Sequence, residues 1–243
     1  MEKINFSAKQ ISIMDSEQNA SFYWDIKKRC IQYCIDRFSN NRSTVLDIGC
    51  GTGYVLPGSN INPEKYVGMD AFIESEKFLK QNFSPLVEFT TSPINQFRKQ
   101  KFDTILLLDV LEHIENESAF LDELLERMDK NSHLIISVPA HQWLYSEADV
   151  IAGHVRRYST KSLLKLFESK GFANLFSSSF LTTTLPLLIL SRLFFSKINR
   201  EGINEQNNFT NFVLKKLTPL DFFIFHKLKL SFGGTIVAVF QKK

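Results

Sequence analysis

Three observations predict a doubly wound α/β fold built on a mostly parallel, seven-stranded sheet. Short apolar runs alternate with segments of helical periodicity, the pattern of strands joined by right-handed crossovers and covered on both faces. The first apolar run is closed by a cluster of glycines, as at the ligand-binding edge of open α/β sheets. The 243 residues, 44% hydrophobic and 23% charged, suit one domain with a substantial core.

The elements follow in order. Ser21 to Phe38 reads as a helix, and Val45-Leu46-Asp47-Ile48 as a buried strand ending in glycines. Tyr66 to Met69 is a second strand, Ile73 to Gln81 a helix, and Val87 to Thr91 a third strand, with a short turn after Pro93. Asp103 to Leu108 is the fourth strand. Ser118 to Met128 is an amphipathic helix, with Phe120, Leu121, Leu124 and Leu125 on one face and Asp122, Glu123, Glu126 and Arg127 on the other. His133 to Val138 is the fifth strand, and a helix from Ser159 or Thr160 to Lys170 is stopped by Gly171. A sixth strand falls within Phe172 to Thr184, and Thr235 to Phe240 is the last. The roughly 45 residues between these two strands are too many for a structureless loop and predict helices of their own. The organisation expected is a helical cap over 1–43, a ligand-binding core over 44–184, an apolar basic helical insertion over 185–232 and the closing strand in 233–243.

Composition divides the chain in two. Thirteen of the 23 phenylalanines lie from Phe167 onward, where 10 basic residues face 4 acidic ones, whereas residues 1–166 carry 19 basic and 22 acidic. The balance is too weak for nucleic-acid binding. Three cysteines (Cys30, Cys34, Cys50) give no disulfide framework and read as buried thiols in a reducing compartment, with no metal site expected. The N-terminus MEKINFSAKQ lacks a leader's apolar core. The most apolar stretch, Phe180 to Phe195, is interrupted by Thr182–Thr184, Pro186 and Arg192, so it does not read as a spanning helix. A cytoplasmic protein is expected.

Chemistry concentrates at the strand ends. Gly49, Gly51 and Gly53 follow the first strand and let a ligand approach bare backbone. The dinucleotide fingerprint needs its third glycine one residue later than Gly53, where Tyr54 stands, so a nicotinamide or flavin oxidoreductase is disfavoured. Asp70, at the end of the second strand, is placed to accept both hydroxyls of a ribose.

Val45 to Gly53, Tyr66 to Asp70 and Phe102 to His113, in this order and spacing, resemble the first, second and strand-four motifs of class I S-adenosylmethionine-dependent methyltransferases. The likeness covers about residues 44–140. It implies the Rossmann-like sheet and S-adenosylmethionine as cofactor. By this resemblance Gly49, Gly51 and Gly53 bound the methionine portion with Asp47 beside it. Asp70 holds the ribose, Ala71 touches adenine, and Leu108, Asp109 and Val110 line the pocket. The family often has an acidic residue after strand three; Thr91-Ser92-Pro93 stands there instead, leaving Ser92 or backbone to meet adenine.

The fifth strand feeds Pro139 to Asp149 and then Gly153 to Tyr158, which, with the Phe22-Tyr23-Trp24 segment, more loosely resemble bacterial methyltransferases of glycan, lipid and secondary-metabolite pathways. His154 or His141 could take a proton from an acceptor hydroxyl or amine. Arg156 and Arg157, with Tyr158, are placed to hold an anionic group, or else pair with acids such as Glu147 or Asp149, with Tyr158 in the core. Tyr23 and Trp24 either cap a sulfonium or pack in the core. His113 reads as structural or cofactor-lining. The basic, Phe-rich 185–232 segment suits a membrane interface or a lipid-linked acceptor, or forms a helical cap. The expected reaction is methyl transfer to O or N of a small or lipid-linked acceptor by in-line displacement; a non-catalytic scaffold of the same fold is the alternative.

Overall fold

In the computed structural model the described residues are 18, 21–39, 44–60, 65–82, 87–97, 100–186, 189 and 208–243. The N-terminal segment MEKINFSAKQ and the run Phe194-Phe195 lie outside them, as does most of Leu187 to Leu190. The elements are α1 (Phe22–Phe38), β1 (Thr44–Ile48), β2 (Lys65–Met69), α2 (Ser75–Asn82), β3 (Val87–Thr90), β4 (Thr104–Leu108), α3 (Glu117–Leu125), β5 (His133–Pro139), α4 (Glu147–Ala152), α5 (Thr160–Ser169), β6 (Phe172–Phe180), α6 (Asn208–Phe223) and β7 (Thr235–Lys242). They form one seven-stranded sheet in the order β3-β2-β1-β4-β5-β7-β6. The pairings from β3 through β5 are parallel, and β7 is antiparallel to both β5 and β6. The predicted sheet is therefore observed. α4 was not predicted; with only Glu147–Ala152 it is too short to show a periodicity, and its capping residues Ser146 and Asp149 announce it instead.

Successive strand residues point to opposite faces, and the sequence fills both. Leu46, Ile48, Ile105, Leu107, Leu134 and Ile136 meet Leu121 and Leu124 of α3 and Leu163 and Phe167 of α5 on one side. Their neighbours Val45, Leu106 and Ile135 meet Ile26, Cys30, Ile31, Cys34 and Ile35 of α1 on the other. This double coverage explains why the strands are uniformly apolar. All three cysteines are free and buried.

The late phenylalanines divide between core and surface. Phe167 stacks on Phe240 with ring centroids 4.1 Å apart, and Phe172, Phe180 and Phe225 are fully buried. Phe212, Phe223 and Phe232 are exposed. α6 lies against α1, where the Phe22 amide donates to Asn211 Oδ1 at 2.8 Å. No helix among the described residues is long and apolar enough to cross a membrane.

Because β6 runs parallel to β5, its end at Phe180 reaches the same edge as the ends of β1, β2, β4 and β5. The chain after β6 thus leaves from that edge and returns to it before β7. The site is built there.

Candidate active site

The glycine turn after β1 is held by its neighbour strand. The Gly49 amide donates to the Met69 carbonyl at 2.7 Å and the Gly53 amide to the Cys50 carbonyl at 2.8 Å. Gly49, Gly51 and Gly53 have φ of +68°, +51° and +67°, the left-handed region that side chains disfavour. At Gly49 a Cβ would also lie 2.3 Å from Val110 Cγ2, so the turn and the segment after β4 close on one another only because that side chain is absent.

Asp70 ties β2 to this turn. Its Oδ2 accepts from the Gly51 amide at 2.9 Å and its Oδ1 from the Phe72 amide at 3.0 Å. Burial raises its carboxyl above its ordinary value, against the lowering effect of these donors. Asp47 is buried beneath, accepting from the Tyr66 hydroxyl. Burial pushes its carboxyl up to about 7, partly offset by that hydrogen bond. Ala71 and Ser92 are exposed after the ends of β2 and β3, Leu108 is half-buried as the last residue of β4, and Val110 is half-buried just beyond it. A bare-backbone turn with a carboxylate at the adjacent strand end fits the adenosyl and methionine parts of S-adenosylmethionine.

Asp109, expected from its motif to line the cofactor pocket, is engaged by side chains of α1 and β5. With φ of +56° it carries its carboxylate to Lys27 of α1, to Ser137 Oγ at 2.6 Å and to the Tyr23 hydroxyl at 3.5 Å. Burial opposes its ionisation, but the Lys27 ammonium together with the hydrogen bonds from Lys27 and Ser137 outweighs this and holds the carboxyl below its ordinary value. Lys27 is 3% exposed and sits 4.9 Å over the Trp24 ring. Trp24 therefore faces a lysine of its own helix, because the i, i+3 spacing brings the two together.

A cavity of about 300 Å³ opens beside Asp109. Tyr23, Asp109, Glu112, His154 and Arg157 supply its polar lining, and Leu144, Leu181 and Leu185 its apolar wall. His154 Nδ1 donates to Asp149 Oδ1 at 2.9 Å. The same buried carboxylate receives Arg157 Nε at 2.8 Å and Nη2 at 3.0 Å, and these donors overcome burial to lower its pKa. Arg157 thus meets the cavity with its fork already engaged by Asp149.

Three expected acceptor residues lie outside this cavity. Arg156 turns to Glu117 Oε2 at 2.8 Å and to the carbonyls of Ile114 and Glu115. Tyr158 is buried and donates to Glu117 Oε2 at 2.8 Å, serving the core. His141, with φ of +62°, packs its ring 5.4 Å from that of Trp143 and 5.8 Å from that of Phe232. Each position is set by a partner distant in sequence, which spacing does not reveal.

Sequence reasoning also passed over Lys27, Glu112 and the hub role of Asp149. Lys27 carried a signal: it interrupts the buried stripe Phe22, Ile26, Cys30, Ile31 and Cys34 of α1, where an unpaired charge is not tolerated. Glu112 and His113 sit in a short 3₁₀ turn, Leu111–His113, and only the fold brings His154 to them.

The sheet order, the glycine turn and Asp70 define a class I S-adenosylmethionine-dependent methyltransferase fold. The sequence pattern of the methyltransferase domain matches residues 21–176, and the chain belongs to that family. Among curated proteins it is 24% identical, over 116 residues, to a ubiquinone biosynthesis O-methyltransferase of Rickettsia canadensis, a match covering 44% of this chain and 49% of that protein. The chain thus spans about half the length of that relative. Among solved structures, the methyltransferase in a complex with the Haloferax volcanii Trm112 activator superposes with a TM-score of 0.62 at 14% identity, covering 97% of this chain and 94% of that one. The N-methyltransferase NodS of Bradyrhizobium japonicum, bound to S-adenosylhomocysteine, superposes with a TM-score of 0.52 at 13% identity over 89% and 86% of the two chains.

Proposed function

We propose that this protein transfers the methyl group of S-adenosylmethionine to an oxygen or nitrogen of a small acceptor with an apolar body. The observation that carries the reading is the cavity beside Asp109, apolar along Leu144, Leu181 and Leu185 and polar where Tyr23, Glu112 and His154 converge. When bound, S-adenosylmethionine supplies an electrophilic methyl group on a sulfonium centre. The glycine turn and Asp70 hold its two ends, with Asp47 beneath the turn. Leu108 and Val110 would border that site, and Ala71 and Ser92, exposed after β2 and β3, would meet adenine.

On the other side of Asp109 the task is to align an acceptor and exclude water. Tyr23 and the Lys27–Asp109 pair form the wall between donor and acceptor. His154, its Nδ1 fixed by Asp149, presents Nε2 to the polar end of the cavity and is the better placed of the two histidines that the sequence singled out. Leu181 and Leu185 bring the start of the 185–232 segment into the acceptor wall, which favours an acceptor-side role for that segment over a purely structural cap. A lipid-linked acceptor, with contact to a membrane surface, is compatible with the exposed Phe212, Phe223 and Phe232 beside Lys215, Lys216, Lys227 and Lys229.

The test is to incubate the protein and methyl-labelled S-adenosylmethionine with an extract of the source cells. Label in water-soluble metabolites or in the organic phase is expected, the second indicating a lipid-linked acceptor. Label confined to precipitated macromolecules would reject a small acceptor, and absence of S-adenosylhomocysteine binding by calorimetry would reject the reaction itself.

A further inference from the structure

Glu112 has the least satisfied charged side chain in the described chain. It is fully buried, and neither carboxylate oxygen has a hydrogen-bond partner in another described residue. A buried carboxylate is stable only when paired, protonated or bound to a metal. The nearby cations are already matched, Lys27 by Asp109 and Arg157 by Asp149.

Two imidazoles face this carboxylate. His154 Nε2 lies 3.9 Å from Glu112 Oε1, and the His113 and His154 rings stand edge to face with centroids 4.9 Å apart. One ligand atom from each of Glu112, His113 and His154 falls within 4.8 Å of the others. In both histidines the far nitrogen is occupied. His113 Nδ1 lies 3.1 Å from the Gly153 carbonyl oxygen, which can only accept, so Nδ1 carries the proton. His154 Nδ1 donates to Asp149 Oδ1, and Asp149 is itself braced by Arg157 and the Ser146 amide. Each ring in its neutral form therefore keeps an Nε2 lone pair. Fixing the tautomer through a carboxylate or carbonyl on the outer nitrogen is how proteins prepare histidine to bind a metal.

We propose that Glu112, His113 and His154 form a divalent transition-metal site, of the zinc or cobalt type, at the floor of the acceptor cavity. Two imidazoles and one carboxylate are a donor set such ions accept. Closing the ligands to bonding distance asks for side-chain rotations, and among the described residues none of the three donor atoms has a hydrogen bond to another residue to leave. Glu112 and His154 both line the cavity, so the remaining position faces the acceptor. This inference rests on the reading of that cavity as the acceptor site. It narrows the acceptor class to molecules offering the metal an oxygen donor, a phenol, an enol or a carboxylate flanking the reacting hydroxyl. Bound there, a hydroxyl loses its proton to water more readily, and its oxygen then attacks the methyl carbon. The carbon–sulfur bond breaks with its electron pair retained on sulfur, giving the methyl ether and S-adenosylhomocysteine.

Metal and cofactor binding are measured separately, which keeps this inference apart from the methyltransferase reading. Metal-free protein titrated with Zn2+ in a calorimeter is expected to take up one ion per chain at micromolar or tighter affinity, and Co2+ to produce visible ligand-field absorption. Glu112→Gln, which preserves shape, and His154→Gln are each expected to weaken Zn2+ binding by ~100-fold or more. Asp70→Ala should leave Zn2+ binding unchanged while weakening S-adenosylhomocysteine binding by ~100-fold. Thermal unfolding of the metal-free variants checks that they are folded, and added Zn2+ should raise the midpoint of the wild type only. Failure of the wild type to bind Zn2+ or Co2+ saturably would overturn the site, as would equal binding by the folded double variant Glu112→Gln/His154→Gln. Either result would leave S-adenosylhomocysteine binding, and with it the methyltransferase reading, standing.

Discussion

The two halves of the sheet's carboxyl edge are built from different materials. Around β1 and β2 the edge is mainly backbone: a turn of left-handed glycines, tied by amides to Met69 and Asp70. Around β4 and β5 it is mainly side chains, drawn from α1 (Tyr23, Lys27), the segment after β4 (Asp109, Glu112, His113), β5 (Ser137) and the segment around α4 (Asp149, His154, Arg157). A backbone site depends on local sequence and keeps a recognisable spacing. A side-chain site depends on which distant elements the fold brings together, so it can change its chemistry while the sheet stays the same.

Four substitutions probe that contrast. The largest effect is expected on the side-chain half, from Lys27→Met, which strands Asp109 beside a cavity; unfolding by denaturant should show a loss of about 3–5 kcal/mol. A loss below 1 kcal/mol would mean that solvent, and not Lys27, satisfies Asp109.

The next concerns Asp47 beneath the backbone half. Its carboxyl, ordinarily near 3.8, is pushed up to about 7 by burial, so between these values the folded state retains a proton that the unfolded chain releases. That contribution is complete below about pH 4 and is lost as pH rises toward 7. The stability of the wild type relative to Asp47→Asn should therefore fall across this interval, by up to about 4 kcal/mol. Parallel stability curves for the two proteins would show that Asp47 does not titrate there.

Asp70→Ala tests the backbone half directly. Losing a carboxylate that can accept two ribose hydroxyls should weaken S-adenosylhomocysteine binding by ~100-fold, at about 1.5–3 kcal/mol for each hydrogen bond to a charged group. The smallest effect is expected from Arg156→Ala. Its partly exposed pair with Glu117 (28% and 27% exposed) should contribute about 1 kcal/mol or less, with cofactor affinity and acceptor KM unchanged. A tenfold rise in KM for an anionic acceptor would return Arg156 to the site.

The legibility of the molecule follows the same division. Strand runs such as Val45 to Ile48 and Asp103 to Leu108 were readable because burial on both faces leaves an unbroken apolar signature, and the glycine spacing marked the turn that Asp70 holds after β1. Asp109 shows the limit: its motif drew attention to it, while its partner Lys27, some eighty residues earlier, is found only in the fold. Arg156 and Arg157 are adjacent and chemically alike, yet one turns to Glu117 and the other to Asp149 at the cavity. Strand faces alternate and short turns have few solutions, so local patterns of apolar and small residues determined the sheet, its crossovers and the glycine cradle by themselves. The joining of Glu112 and His113 to His154, across some forty residues and a whole βα unit, was decided by tertiary structure alone. A charged side chain's role is set by whichever partner burial leaves within reach, and that partner is known only once the chain has folded.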